Sequence, residues 1–104
     1  MVEILQNKEN LDKIEFCARD GEESLGRIAG FLEGDMFVID ELECEDYFTD
    51  GLVRAILNLM TLHGIDRARF DLPEQLGRLK NLGFIRTEPV MESIAAFFDK
   101  GCKG

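Results

Sequence analysis

Residues 38–65 read VIDELECEDYFTDGLVRAILNLMTLHGI. The stretch begins as a strand and ends as a helix, and the change of period between them sets the fold. Val38 and Ile39, with Met36 and Phe37 just ahead, are apolar on both faces of a strand, as expected of a central one. From Asp40 the strand turns acidic. From residue 50 to 63 the period is helical: Leu52, Val53, Ala55, Ile56, Leu57, Leu59, Met60 and Leu62 leave only Arg54, Asn58 and Thr61 as a polar stripe, at i, i+4 and i+7. Such a helix is buried on most sides. Thr49 or Asp50 is the expected N-cap, and Gly64 after His63 the terminator.

Upstream, KIEFCAR (residues 13–19) alternates Ile14, Phe16 and Ala18 against Glu15, Cys17 and Arg19, the period of a half-buried strand. DGEES supplies a turn, LGRIAGFLE a second strand with Gly26 and Gly30 marking a bulge or a close approach, and EGD a tight hairpin. Strands joined by connections this short are antiparallel neighbours. Downstream, RARFDL is strand-like, Pro73 opens a short helix over PEQLGRLKNLG, and FIRTE and ESIAAFF read as two final strands. The fold class is therefore α/β (α+β). An antiparallel meander runs through a helical crossover into a parallel pair.

The chain has 104 residues, 45% of them hydrophobic, with eight Phe and no Trp. That is one compact domain with material for a real core. There is no apolar run long enough to span a bilayer and no signal-like start, so a cytoplasmic protein is expected. Twelve basic residues face 21 acidic ones, for a net charge of −9. This disfavours nucleic acid and anionic membranes as partners. Cys17, Cys44 and Cys102 form no CxxC pair, and with one histidine no ordinary zinc cluster is available. They read as structural thiols, with Cys102 the one left open to a reactive role.

The same residues carry a resemblance. VIDELECEDYFTDGLVRAILNLMTLHGI, closing on Gly64-Ile65, resembles the central strand, turn and long helix of the GNAT superfamily of N-acetyltransferases, and LKNLGF (residues 79–84) resembles its second signature. The likeness runs from about Lys13 to Phe98. It implies a GNAT-like mixed sheet in which residues 1–12 replace the usual first strand and two helices. In that family a Q/R-x-x-G-x-G/A turn holds the pyrophosphate of acetyl-CoA on its backbone amides and the helix N-terminus. Matched residue by residue, Phe48 stands at the first position, Gly51 is kept and Val53 replaces the last small residue. Thr49, Asp50, Gly51, Leu52 and Val53 are thus the implied cofactor-binding residues, in a degenerate loop. Leu79 stands where a tyrosine acid is often found, and Leu72 where an asparagine is.

Val53 would block close approach to the backbone, and Asp50 would occupy the amides itself. Glu41, Glu43, Glu45 and Asp46 surround the turn, and no Lys or Arg occurs between Asp35 and Val53. Two unit charges about 6 Å apart repel by roughly 3 kcal/mol at an effective dielectric of ~20. A few such terms consume micromolar affinity, about 8 kcal/mol in all.

Two function classes follow. One is an acetyl-CoA-dependent N-acetyltransferase of small or peptide amines, with Glu41 or Glu43 as the catalytic base and acetyl-CoA as cofactor. The other is a non-catalytic relative that binds a cationic small molecule or a basic protein partner through the acidic run from Asp40 to Asp50. No metal site is expected. Tyr47 reads as a packed residue with its hydroxyl at the surface, and His63 as a helix-end residue. Cys44 lies between two glutamates that disfavour its thiolate. The very apolar helix and the short chain fit a homodimer, since small sheets protect their faces and edges by pairing.

Overall fold

The computed structural model describes residues 1–102. Six strands form one sheet in sequence order: β1 (Val2–Gln6), β2 (Ile14–Asp20), β3 (Glu23–Glu33), β4 (Met36–Cys44), β5 (Arg67–Phe70) and β6 (Val90–Met91). Every neighbouring pair is antiparallel except β4 and β5, which run parallel across the helical connection α1 (Asp46–Leu62). A 3₁₀ turn (Pro73–Gln75), α2 (Leu76–Asn81) and α3 (Ile94–Cys102) complete the chain. The meander and the parallel crossover are those the hydrophobic periods demand.

The helices share one face of the sheet. Ala18, Ile28, Phe37, Ile39, Leu42, Ala68 and Phe70 meet Leu52, Ile56, Leu57, Met60, Leu79 and Ile94 in a single apolar cluster. Fully burying a side chain of this size contributes roughly 1.5–3 kcal/mol. The residues alternating with these sheet positions, Glu15, Arg27 and Glu41 among them, belong to the opposite face and carry an ion-pair network. No helix among the described residues is long and apolar enough to cross a membrane.

Residues 2–6, to which the sequence assigned no element, form the edge strand β1, in register with β2 from Val2↔Asp20 to Gln6↔Phe16. Two expectations are corrected. FIRTE is not a strand. Phe84 and Ile85 are buried in a loop that leaves α2 through Gly83, whose φ of 87° suits a helix stop. ESIAAFF is a helix, because Ile94, Phe97 and Phe98 recur at i, i+3 and i+4 and Ser93 caps them, its Oγ accepting from the Ala96 amide at 3.1 Å. The Asp66 carboxylate accepts from the Ala95 amide at 2.9 Å and from the Ser93 hydroxyl at 2.9 Å, tying α3 to the entry of β5. Those bonds hold the Asp66 carboxyl below its ordinary pKa. Side chains are described for residues 1–99, so the thiol of Cys102 lies outside them.

Candidate functional site

The acidic end of β4 is shaped by a bulge. Gly30 pairs with Ile39 and Ala29 with Glu41, which leaves Asp40 unmatched. Phe37 and Ile39 are core residues, so simple alternation would drive Glu41 and Glu43 into the core. The extra residue changes the phase, and Leu42 and Cys44 take the helix side instead. Glu41 and Glu43 are thereby delivered to the open face.

There Glu41 accepts from Arg27 Nη1 at 2.8 Å and from Lys13 Nζ at 2.7 Å, while Lys13 also reaches Asp40 at 2.8 Å. The Arg27 and then the Lys13 hydrogen bonds hold the Glu41 carboxyl below its ordinary pKa. A carboxylate so paired is a weak base. Glu43 is 73% exposed, with Arg27 Nη1 at 3.5 Å. The most buried acid of the face is Glu15, 7% exposed, which accepts from Arg27 Nε at 3.1 Å and Asn10 Nδ2 at 2.7 Å. Arg27 drives its pKa down to about 2. The sequence reading gave Glu15 no role beyond strand alternation. Cys17 donates to Glu15 at 3.3 Å, and burial pushes its thiol up.

Beyond the bulge, β4 and β5 part. Their ladder ends at Ile39↔Phe70, with the Asp71 amide donating to the Ile39 carbonyl at 2.8 Å. In open α/β sheets ligands enter outside the carboxyl ends of parallel strands, and β4 and β5 are the parallel pair of this sheet. The crevice here has a volume of about 270 Å³ and is rimmed by Asp40, Glu41, Glu43, Asp71 and Glu74. Side chains close its inner end in place of a strand. Gln75 Nε2 donates to the Leu42 carbonyl at 2.7 Å, and Arg78 Nη1 donates to the Cys44 carbonyl at 3.3 Å. Arg78 also reaches Thr49 Oγ1 at 2.7 Å and Asp46 at 2.9 Å, and is fixed by Gln75 Oε1 at 3.0 Å.

The implied phosphate loop is not a loop. α1 begins at Asp46 with Glu45 as N-cap, four residues earlier than expected, so residues 49–53 lie within the helix. Their amides belong to its i→i−4 ladder rather than to a free cradle. Thr49, Leu52 and Val53 are fully buried. Asp50 caps nothing, pairing instead with Arg54 one turn on, at 2.9 Å. Gly51 has a packing reason: a Cβ there would meet Ile4 Cδ1 of β1 at 2.7 Å. The signal for the earlier start was Asp46, an acid suited to a first turn.

Tyr47 is 85% exposed and stands edge-on to Phe48, so its ring is not packed inside as expected. His63 is the C-cap of α1, its amide donating to the Leu59 and Met60 carbonyls. Cys44 Sγ lies 3.5 Å from Thr49 Oγ1. Leu72 and Leu79 are buried in the core. A second hollow of about 530 Å³, which sequence reasoning did not foresee, opens between Phe84, Ile85, Met91 and Phe97. The guanidinium of Arg54 lies 5.2 Å from the Phe97 ring centre. Among the described residues, no group of three or more His, Cys, Asp or Glu is placed to hold a metal ion. Compared with protein-family models, curated proteins and solved structures, the chain gives no match.

Proposed function

We propose that this chain is a GNAT-like domain without acetyltransfer chemistry, binding a small cationic ligand at the acidic end of β4. One observation carries the reading. The crevice where β4 and β5 part is rimmed by five carboxylates, Asp40, Glu41, Glu43, Asp71 and Glu74, while the amides of residues 49–53 lie within α1. Lys13, Arg27 and Arg69 already serve Asp40, Glu41 and Asp71. Glu74, and Glu43, whose contact with Arg27 is long at 3.5 Å, are thus the carboxylates best placed to receive an incoming ammonium group. The alternative is an acetyl-CoA-dependent N-acetyltransferase. It is favoured by the order of meander, long helix, parallel strand and short helix, which is the order the resemblance implies.

The test is calorimetric titration with spermidine at low ionic strength. Exposed charges give weak, salt-screened affinity, so a Kd of roughly 0.1–1 mM that weakens with added salt is expected. Glu43→Lys combined with Glu74→Lys should abolish the heat. Unchanged binding by that folded double variant would move the site elsewhere, and no heat from the wild type would retire the cationic ligand.

A further inference from the structure

We propose that the free edge of β1 pairs with the β1 of a second copy, antiparallel about a two-fold axis through Ile4, to make one continuous sheet. The Asn7 amide donates to the Glu15 carbonyl at 2.8 Å in the register that pairs Gln6 with Phe16. In an antiparallel ladder, residues that exchange bonds alternate with residues that do not. Asn7, Leu5 and Glu3 therefore turn their backbone groups towards β2. Val2, Ile4 and Gln6 turn theirs outward, along an edge that carries no proline, no lysine and no bulge. The opposite edge of the sheet, β6, has only two residues.

The sequence VEILQ is complementary to itself in this arrangement. With the axis on Ile4, the two Ile4 residues exchange bonds with each other, and Val2 of one copy exchanges with Gln6 of the other. Glu3 then faces Leu5 of the second copy, so no two carboxylates stand directly opposed. Apolar exposure gathers on this edge: Met1 is 96%, Val2 45% and Leu5 49% exposed. The same register brings Met1 of one copy level with Asn7 of the other, beside a hollow of about 470 Å³ lined in part by Gln6, Leu11, Phe31 and Leu32. A five-residue strand pair is smaller than a standard interface, so the dimer is a weak one, with a Kd of roughly 10–100 µM. Each copy carries a net charge of −9, and added salt therefore tightens the association.

The experiment is sedimentation equilibrium of the whole chain from about 10 µM to about 1 mM, alongside Gln6→Pro. That substitution removes an outward N–H from an exposed residue and spares the β2 ladder. The mass of the wild type should rise from 11.8 kDa towards twice that value. The variant should stay at the monomer mass up to a concentration at least tenfold higher. Amide exchange by NMR gives a second readout that does not depend on the variant folding. Protection at Ile4 and Gln6 should grow with concentration, while Glu3 and Leu5 are protected throughout. A wild type monomeric at the highest concentration would overturn the proposal, as would a dimer in which Ile4 and Gln6 exchange freely. Protection of that edge only when another polypeptide is added would also overturn it and assign the edge to that polypeptide.

Discussion

Gly30→Ala is expected to destabilise the protein by about 3 kcal/mol, close to the largest effect a single added methyl group produces. For a domain of this size that lowers Tm by roughly 15 °C. A Cβ at this position would stand 2.3 Å from the Val38 carbonyl oxygen and 2.8 Å from Cζ of Phe37. The first is backbone, and the second belongs to a fully buried ring at the centre of the core. Neither can withdraw without parting β3 from β4 beside the bulge at Asp40, which sets the orientation of Glu41 and Glu43. Gly51→Ala is the contrasting case. There the obstacle is the flexible tip of Ile4, and helix propensity gains about 1 kcal/mol, so the two effects offset each other. Thermal unfolding of both variants decides the matter; a Gly30→Ala protein that melts with the wild type would mean that β3 and β4 are not held as described.

The second large effect belongs to Glu15. Its folded pKa of about 2 lies below its ordinary value of 4.5, chiefly because of the hydrogen bond from Arg27. A depressed carboxylate stabilises the fold above its unfolded pKa, and that contribution is lost as pH falls through the folded pKa. The window therefore runs from about 4.5 down to about 2. A shift of this size corresponds to about 3 kcal/mol, with little solvent discount because the side chain is only 9% exposed. Glu15→Gln should cost about 2–3 kcal/mol at pH 7 in urea denaturation, and its deficit against the wild type should shrink as pH falls through that window. A deficit that stayed constant between pH 7 and pH 3 would show that the Arg27 pair is not the source of the stability.

Much of the fold was legible because burial writes its period into the chain. Ile14, Phe16 and Ala18 announced β2, and the apolar run from Leu52 to Leu62 announced a helix buried on most sides. Other features depend on a single residue. The bulge at Asp40 changes the apolar phase from Phe37 and Ile39 to Leu42 and Cys44, a switch visible in the sequence but easily absorbed into a run of acids. ESIAAFF was short enough to fit either period, and the Asp66 and Ser93 caps that settle it come together only in three dimensions. The candidate site was the least legible part. Glu41 and Glu43 were correctly placed on the central strand. Their cationic neighbours, Lys13 and Arg27, come from distant stretches, and Arg78 reaches the α1 N-terminus from α2. The local run lacks Lys and Arg, yet the fold supplies both.

The amides of residues 49–53 lie inside α1 and offer no cradle for a pyrophosphate. The deciding measurement is calorimetric titration of the purified protein with acetyl-CoA, after a check for cofactor carried through purification. No heat of binding is expected at about 1 mM cofactor, a threshold that corresponds to only about 4 kcal/mol of affinity. Binding at tens of micromolar or tighter would contradict it, and would return Glu41 and Glu43 to consideration as the base of an N-acetyltransferase.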